Sequence, residues 1–203
     1  MGEPFNGVVR GDTVTVNLVD SSNQSYDISA EDVRAAADRV NCRSKMTSTY
    51  ALLVSIGLCA LAAALEGACA GNNVKSYFAT LRSPPYSVPL WVWYLIGFGY
   101  YATFFFVLYR ILKLHTDSIL KPLTLGLVLF MMLANAVWNY VFFRARKLFL
   151  AFVTGSVAPL FDAALLICLV KLDRLAASSL VPYLLYRVYA VYWGYALWKI
   201  NRV

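Results

Sequence analysis

Apolar residues in this chain fall into five long blocks, separated by short polar or basic punctuation. Residues 46–65 and 90–109 carry no charge over 20 positions each, and 122–143 carries none over 22. Blocks 148–170 and 175–198 are each interrupted by one ionisable residue within the apolar run, Asp162 and Arg187. A bilayer core takes about 20 apolar residues per helix. Hydrocarbon offers backbone groups no hydrogen-bond partners, so blocks of this length predict helices. The expected fold is an all-α integral membrane protein, a bundle of five transmembrane helices over about 46–66, 90–110, 122–143, 148–170 and 177–199.

Ahead of the first block lies a polar extension, residues 1–45, expected to be weakly ordered. Alternation over 13–19 predicts a short strand, Ser21-Ser22-Asn23-Gln24 reads as a turn, and Ser29 followed by Glu31 and Asp32 predicts a helix over 30–40. The first connection, 67–89, is long, and its Pro84, Pro85 and Pro89 favour an extended path. Later connections (113–121, 144–147 and 171–178) are short and basic, which predicts antiparallel neighbours.

Composition agrees with this division. The chain is 60% hydrophobic with mean hydropathy +0.61. Residues 41–203 hold fifteen basic and four acidic side chains, a net +11. In a soluble protein that excess would point to nucleic acid. Here the cations cluster at block ends, where they snorkel to phosphate headgroups, so the expected partner is the lipid bilayer and not nucleic acid. No basic-apolar leader with a cleavage site opens the sequence, and none is expected.

Cys42, Cys59, Cys69 and Cys168 lack metal-ligand spacing, so no metal or cofactor is expected. HExxH, GxSxG and P-loop patterns are missing from the sequence, and the single histidine, His115, sits in a basic connection. The reading is a non-enzyme.

Four sets of residues stand out as candidates for packing or chemistry. Asn135, Trp138 and Phe142 share one helical face at i, i+3 and i+7. That face suits an interhelical hydrogen bond packed by aromatics, or a large, flat, mostly apolar ligand. Tyr94 and Tyr101, with Gly97 between them, are placed to line the interior. Asp162 and Arg187 lie equally far from a turn near 174–175, which predicts an ion pair at matching depth. The pair reads as a clamp on the helix hairpin, or as a site for a propionate or a coupled proton. Ala190 and Gly194 permit close helix contact.

The third block and its exit, Ala134-Asn135-Ala136-Val137-Trp138-Asn139-Tyr140-Val141-Phe142-Phe143-Arg144-Ala145-Arg146-Lys147, resemble the third helix of the translocator protein family of tryptophan-rich sensory proteins. Ser83-Pro84-Pro85-Tyr86-Ser87-Val88-Pro89-Leu90-Trp91 is similar to the family's proline-rich first loop. Leu180-Val181-Pro182-Tyr183-Leu184 and Tyr195-Ala196-Leu197-Trp198-Lys199-Ile200-Asn201 are similar to its fifth helix. Gly97, Leu150, Thr154 and Gly194 depart from the family pattern, which widens or depolarises the expected pocket.

The resemblance implies a receptor or carrier whose five helices enclose a cavity for a tetrapyrrole (porphyrin or haem), a sterol or a benzodiazepine-like aromatic. It implies a lining of Tyr86, Pro89, Trp91, Tyr101, Asn135, Trp138, Phe142 and Ala190. Val191, Tyr195 and Lys199 form its sterol segment. Porphyrin photodegradation is the one activity it suggests, and it allows for a homodimer. It also implies the outer mitochondrial membrane in a eukaryote, or the cell envelope in a bacterium. Two rival readings remain at this point: an ion-coupled small-solute transporter using Asp162 and Arg187, and a membrane assembly subunit that binds no ligand.

Overall fold

A computed structural model describes residues 8–10, 13–15 and 30–202 of the 203-residue chain. The chain divides into two units, Met1–Tyr50 and Ala51–Val203. In the first unit, β1 (Val8–Arg10) pairs antiparallel with β2 (Thr13–Thr15), with Val9 opposite Val14. The strand expected over 13–19 is therefore seen at Thr13–Thr15; 16–19 and the capping Ser29 lie outside the described residues. The helix expected over 30–40 is the beginning of α1, which runs unbroken from Ala30 to Ala70. No proline or glycine falls between 30 and 56 to stop it, so α1 passes through the boundary expected at 45/46.

The second unit is helical. Beside the end of α1 it holds α2 (Val74–Thr80), α3 (Leu90–Lys113), α4 (Leu120–Asn139), α5 (Leu148–Leu172) and α6 (Arg174–Asn201). Among the described residues, four segments are long and apolar enough to cross a bilayer: Ser48–Ala70, Leu90–Lys113, Leu120–Arg144 and Leu148–Leu172. Helix α6 has 28 residues, about 42 Å at 1.5 Å each, but five tyrosines, two tryptophans and Arg187 keep it less hydrophobic than the others. The chain is thus a multi-pass, all-helical membrane protein apart from the short hairpin.

Helix α5 packs against α4 and α6, and α3 against α6 and α4. The Ser48–Ala70 segment is peripheral, with 6% of its apolar window buried against 28, 28 and 22% for the other three. Its attachment therefore depends on specific contacts more than on broad packing.

Local chemistry sets the ends of these helices. Gly71 takes φ 73 just past α1, a backbone position that a side chain would strain. Helices α5 and α6 are separated by Asp173 alone, whose carboxylate caps α6 by accepting from the Leu175 and Ala176 amides at 3.0 and 3.1 Å. That cap starts α6 three residues ahead of the expected 177, and it replaces the connection expected over 171–178. Arg110 of α3 bonds the same carboxylate at 2.7 Å. The end of α4 widens into a π-helical turn, Tyr140–Arg144, and Arg146 then takes φ 55 to complete the reversal into α5.

The two halves of the bundle differ. Toward the Asp173 end the interior is filled by Phe104, Leu108, Ile111, Val128, Leu165 and Leu180, all fully or almost fully buried. Toward the 71–89 connection the interior opens into cavities.

Candidate ligand cavity

The main cavity has a volume of about 380 Å³ and is lined by the end of α1, the start of α2 and α3, the end of α4 and the middle of α6. Eleven of its 23 lining residues are aromatic, among them Trp93, Tyr94, Tyr100, Tyr101, Trp138 and Trp193. Its size and composition match small-molecule sites, which are concave and mostly apolar with a few placed polar groups. Gly97 widens it, since a side chain built there would meet nothing within 4 Å.

Helix α4 and its π-turn build one wall. The Trp138 ring stacks on Phe142 with centroids 4.9 Å apart and planes at 12°, while its Nε1 donates to the Ala151 carbonyl of α5 at 2.9 Å. The wide turn brings Phe142 and Phe143 to the cavity together, and Tyr77 and Phe78 of α2 pack on them. Wide turns of this kind recur at functional sites. Arg146 lies over the Tyr77 ring at 5.2 Å. Burial pushes the Tyr77 phenol up from its ordinary pKa, and the Arg146 charge pulls it partly back.

Polar groups gather at one side. Tyr101 Oη donates to Glu66 Oε2 at 2.5 Å, and Asn139 Nδ2 donates to Glu66 Oε1 at 2.8 Å and to the Asn135 carbonyl at 3.0 Å. This cluster joins α1, α3 and α4, and it supplies the specific attachment the peripheral α1 needs. Trp93 Nε1 and Tyr100 Oη, both on the cavity wall, have no hydrogen-bond partner among the described residues.

Arg187 borders the cavity from α6, and its Nε donates to Asp162 Oδ2 of α5 at 2.9 Å. Asp162 is completely buried, and 15% of the Arg187 side chain is exposed. A second cavity of about 70 Å³ shares Asn135, Trp138, Phe142 and Arg187 with the first and reaches Ala190, Val191 and Gly194.

Above the cavities, the 81–89 segment is strapped to α6. The Asn201 amide exchanges two hydrogen bonds with the Arg82 backbone, each at 2.9 Å, and Trp193 Nε1 donates to Ser87 Oγ at 2.7 Å. Tyr86 stacks on Tyr192 at 5.0 Å, and its carbonyl accepts from Tyr189 at 3.3 Å.

Of the residues expected to line a pocket, Tyr101, Asn135, Trp138 and Phe142 line the large cavity and Ala190 the small one. Tyr86, Pro89 and Trp91 line neither. Tyr86 belongs to the strap, Pro89 sits at the N-terminus of α3, and Trp91 is 66% exposed. Trp93, two positions along a helix that starts at Leu90, takes the inward place instead. Val191 lines the small cavity, whereas Tyr195 is 40% exposed with the Lys199 ammonium 5.8 Å over its ring. Sequence reasoning missed Glu66, Asn139, Trp93 and Trp193 as cavity residues. Glu66 ends the first apolar block, a position where a charge ordinarily reads as interfacial.

An aromatic cavity at one end of a helical membrane bundle, with a proline-rich segment bound to α6 nearby, fits the family suggested by the Asn135–Phe142 motif. The TspO/MBR family model matches residues 55–199, most of the chain and nearly all of the second unit. This chain belongs to the TspO/MBR family. The translocator protein of Ovis aries is 30% identical to it over 131 residues, covering 62% of this chain and 75% of that relative. The TspO/MBR match includes Glu66, Asp162 and Arg187 in its span, so these charges lie inside the family domain and not in an appended segment.

Proposed function

We propose that this TspO/MBR protein is a membrane receptor or carrier that binds one large, flat, mostly apolar ligand in the 380 Å³ cavity. A tetrapyrrole such as porphyrin or haem, a sterol or a benzodiazepine-like aromatic has the matching shape. In this reading α6 is the fifth span. It is long enough, it folds back along α5 from a single-residue link, and its mid-helix charge is neutralised by Asp162. The cavity itself carries the proposal. Stacked aromatic walls supply burial, and the polar cluster of Asn135, Asn139 and Glu66 on one side would fix orientation. Binding of this kind needs no catalytic group, and the protein is read as a binder and not an enzyme. Release or transfer of the ligand would require the 81–89 strap to lift from α6. Tyr195 and Lys199 offer a separate contact for a sterol on the outer face of α6, with Val191 turned toward the small cavity. The proposed location is the outer mitochondrial membrane in a eukaryote, or the cell envelope in a bacterium.

The test is a titration with protoporphyrin IX in lipid nanodiscs, followed by quenching of tryptophan fluorescence. Gly97→Phe fills the cavity from a position where nothing opposes the new side chain, and Asn135→Ala removes a polar contact. Saturable quenching in the parent, weakened in both variants, supports the pocket. Equal and unsaturable quenching in all three proteins would mean partition into lipid, and the cavity reading fails.

A second reading has one observation in its favour. The fully buried Asp162 borders the cavity through Arg187, as an ion-coupled carrier would need. It requires pH-dependent uptake of a small solute that Asp162→Asn abolishes.

A further inference from the structure

Among the described residues, the formal charges at the large cavity leave one negative charge unmatched. Two ionisable side chains of formal charge line it, Glu66 and Arg187. Arg187 is already paired with Asp162 at 2.9 Å, so that pair contributes no net charge. The hydrogen-bond donors on Glu66 are a phenol and an amide, Tyr101 and Asn139, and both are neutral. A carboxylate has about four acceptor sites, so two bonds leave capacity for a third partner. The last turn of α1, which also lines the cavity at Gly67 and Ala70, holds no basic residue. The opposing helix dipoles decide little, because the negative end of α1 and the positive end of α3 at Leu90 both meet the cavity.

The aromatic faces favour the same sign, while the unpartnered Trp93 Nε1 and Tyr100 Oη leave room for a neutral acceptor on the ligand's body. Aromatic faces present negative potential to an approaching cation, and eleven of the 23 lining residues are aromatic. Two neutral donors meet both oxygens of Glu66 without neutralising its charge. The charge on Glu66 is therefore the feature to be explained.

We propose that this cavity selects a ligand bearing a cationic group, a protonated or quaternary amine on an aromatic or alkyl body, with the cation against Glu66 and the body against the aromatic walls. The inference rests on the cavity being a ligand site, and among ligands of the proposed shape it ranks an amine-bearing aromatic above a porphyrin, whose propionates are anionic. Quaternary ammonium is weakly hydrated and gives up little solvation on entry, so it is the cleanest probe of the charge term.

The experiment uses the full chain in nanodiscs of phosphatidylcholine, which carry no net charge, at physiological ionic strength. Three naphthalene probes of one shape are compared by quenching of tryptophan fluorescence: naphthylethyl-trimethylammonium, its carbon isostere naphthyl-dimethylbutane, and naphthylpropanoate. The expected order of affinity is cation, neutral, anion, with the cation about tenfold tighter than the isostere, a gap that a desolvated cation–aromatic contact and one charged hydrogen-bonding partner can supply. In Glu66→Gln that gap, read as the ratio of the two affinities within one protein, shrinks to about twofold or less, so a change common to both probes drops out. Circular dichroism of the variant, matching the parent, shows that it is folded.

Equal affinity of cation and isostere in the parent protein overturns the proposal without any variant. So does tighter binding of the anion, which would make Arg187 the discriminating charge, or a gap that survives Glu66→Gln. Saturable porphyrin and isostere binding without cation preference would remove this inference alone. Loss of all saturable binding would remove the cavity reading with it.

Discussion

Removing Arg187 should destabilise this protein more than removing Asp162, although the two share one ion pair. Asp162 has no exposed surface, and its Oδ1 has no hydrogen-bond partner among the described residues. Arg187→Leu would strand a carboxylate there. Breaking one side of a buried pair costs about 3–5 kcal/mol, and this site belongs at the upper end. Arg187, by contrast, reaches the cavity with 15% of its side chain exposed and lies 5.7 Å over the Tyr183 ring. A stranded guanidinium keeps those contacts, so Asp162→Leu should cost about 1–3 kcal/mol. The double variant removes both charges and should lie within about 1 kcal/mol of the parent, since apolar replacement of a buried pair is often neutral. The resulting coupling energy is at least about 3 kcal/mol, well above the few tenths found between independent sites. Unfolding in mixed detergent with increasing SDS, followed by circular dichroism, gives the four free energies. Additive single effects, or Asp162→Leu costing more than Arg187→Leu, would refute the reasoning.

Other outcomes follow from single contacts. Trp193→Phe keeps the ring but loses the 2.7 Å bond to Ser87; hydrogen exchange at 86–88 should accelerate and ligand association should become faster, while stability falls by only about 1 kcal/mol. Trp138→Phe removes the bond to the Ala151 carbonyl but keeps the stack on Phe142, so it should cost about 1 kcal/mol, against about 3–5 for Trp138→Ala, in the same SDS titration. Gly71→Ala meets no atom within 4 Å, so its expected loss of about 1 kcal/mol comes from the φ of 73 alone, and Gly71→Asn should lose less. Asn201→Ala frees the Arg82 backbone and should increase proteolytic nicking of 81–89 without changing helix content.

The spans were the most legible part of the sequence because bilayer thickness imposes a length that short elements do not face. Helix α6 was harder to read: its tyrosines and tryptophans make it less apolar than the rest, and its early start depends on the Asp173 cap. Helix α2 went unread inside the long connection, since seven residues with no side-chain cap at Asn73 leave little pattern. The pairing of Asp162 with Arg187 could be anticipated from their spacing about a turn. The cavity residues were only partly legible, for reasons of rotation. Trp91 and Trp93 differ by about 200° around an α-helix, so a motif that places a tryptophan near the start of α3 does not say which one faces inward. Glu66 was hidden differently. Its partners come from Tyr101, 35 positions away, and Asn139, 73 away, and no local pattern joins them.

The charges also explain how a bundle this size tolerates a hollow end. Phe104, Leu108, Val128, Leu165, Leu169 and Leu180 fill the half near Asp173, where α5 and α6 are joined by one capped residue and tied to α3 through Arg110. Helix packing there holds the orientation of the long helices, with the more peripheral α1 leaning on the same cluster through Leu58, Cys59 and Ala62. The Asp162–Arg187 pair lies between the packed half and the open half and cross-links α5 to α6 where apolar contacts give way to the cavity. At the far end, Glu66 fastens α1 through Tyr101 and Asn139, and the strap holds α6 through Asn201 and Trp193. Apart from the Arg110–Asp173 tie, these polar contacts stand where apolar packing has been given up for space. Filling the cavity, as Gly97→Phe does, should lessen the dependence of α1 on Glu66. The loss on Glu66→Leu would then be smaller in the Gly97→Phe background than in the parent.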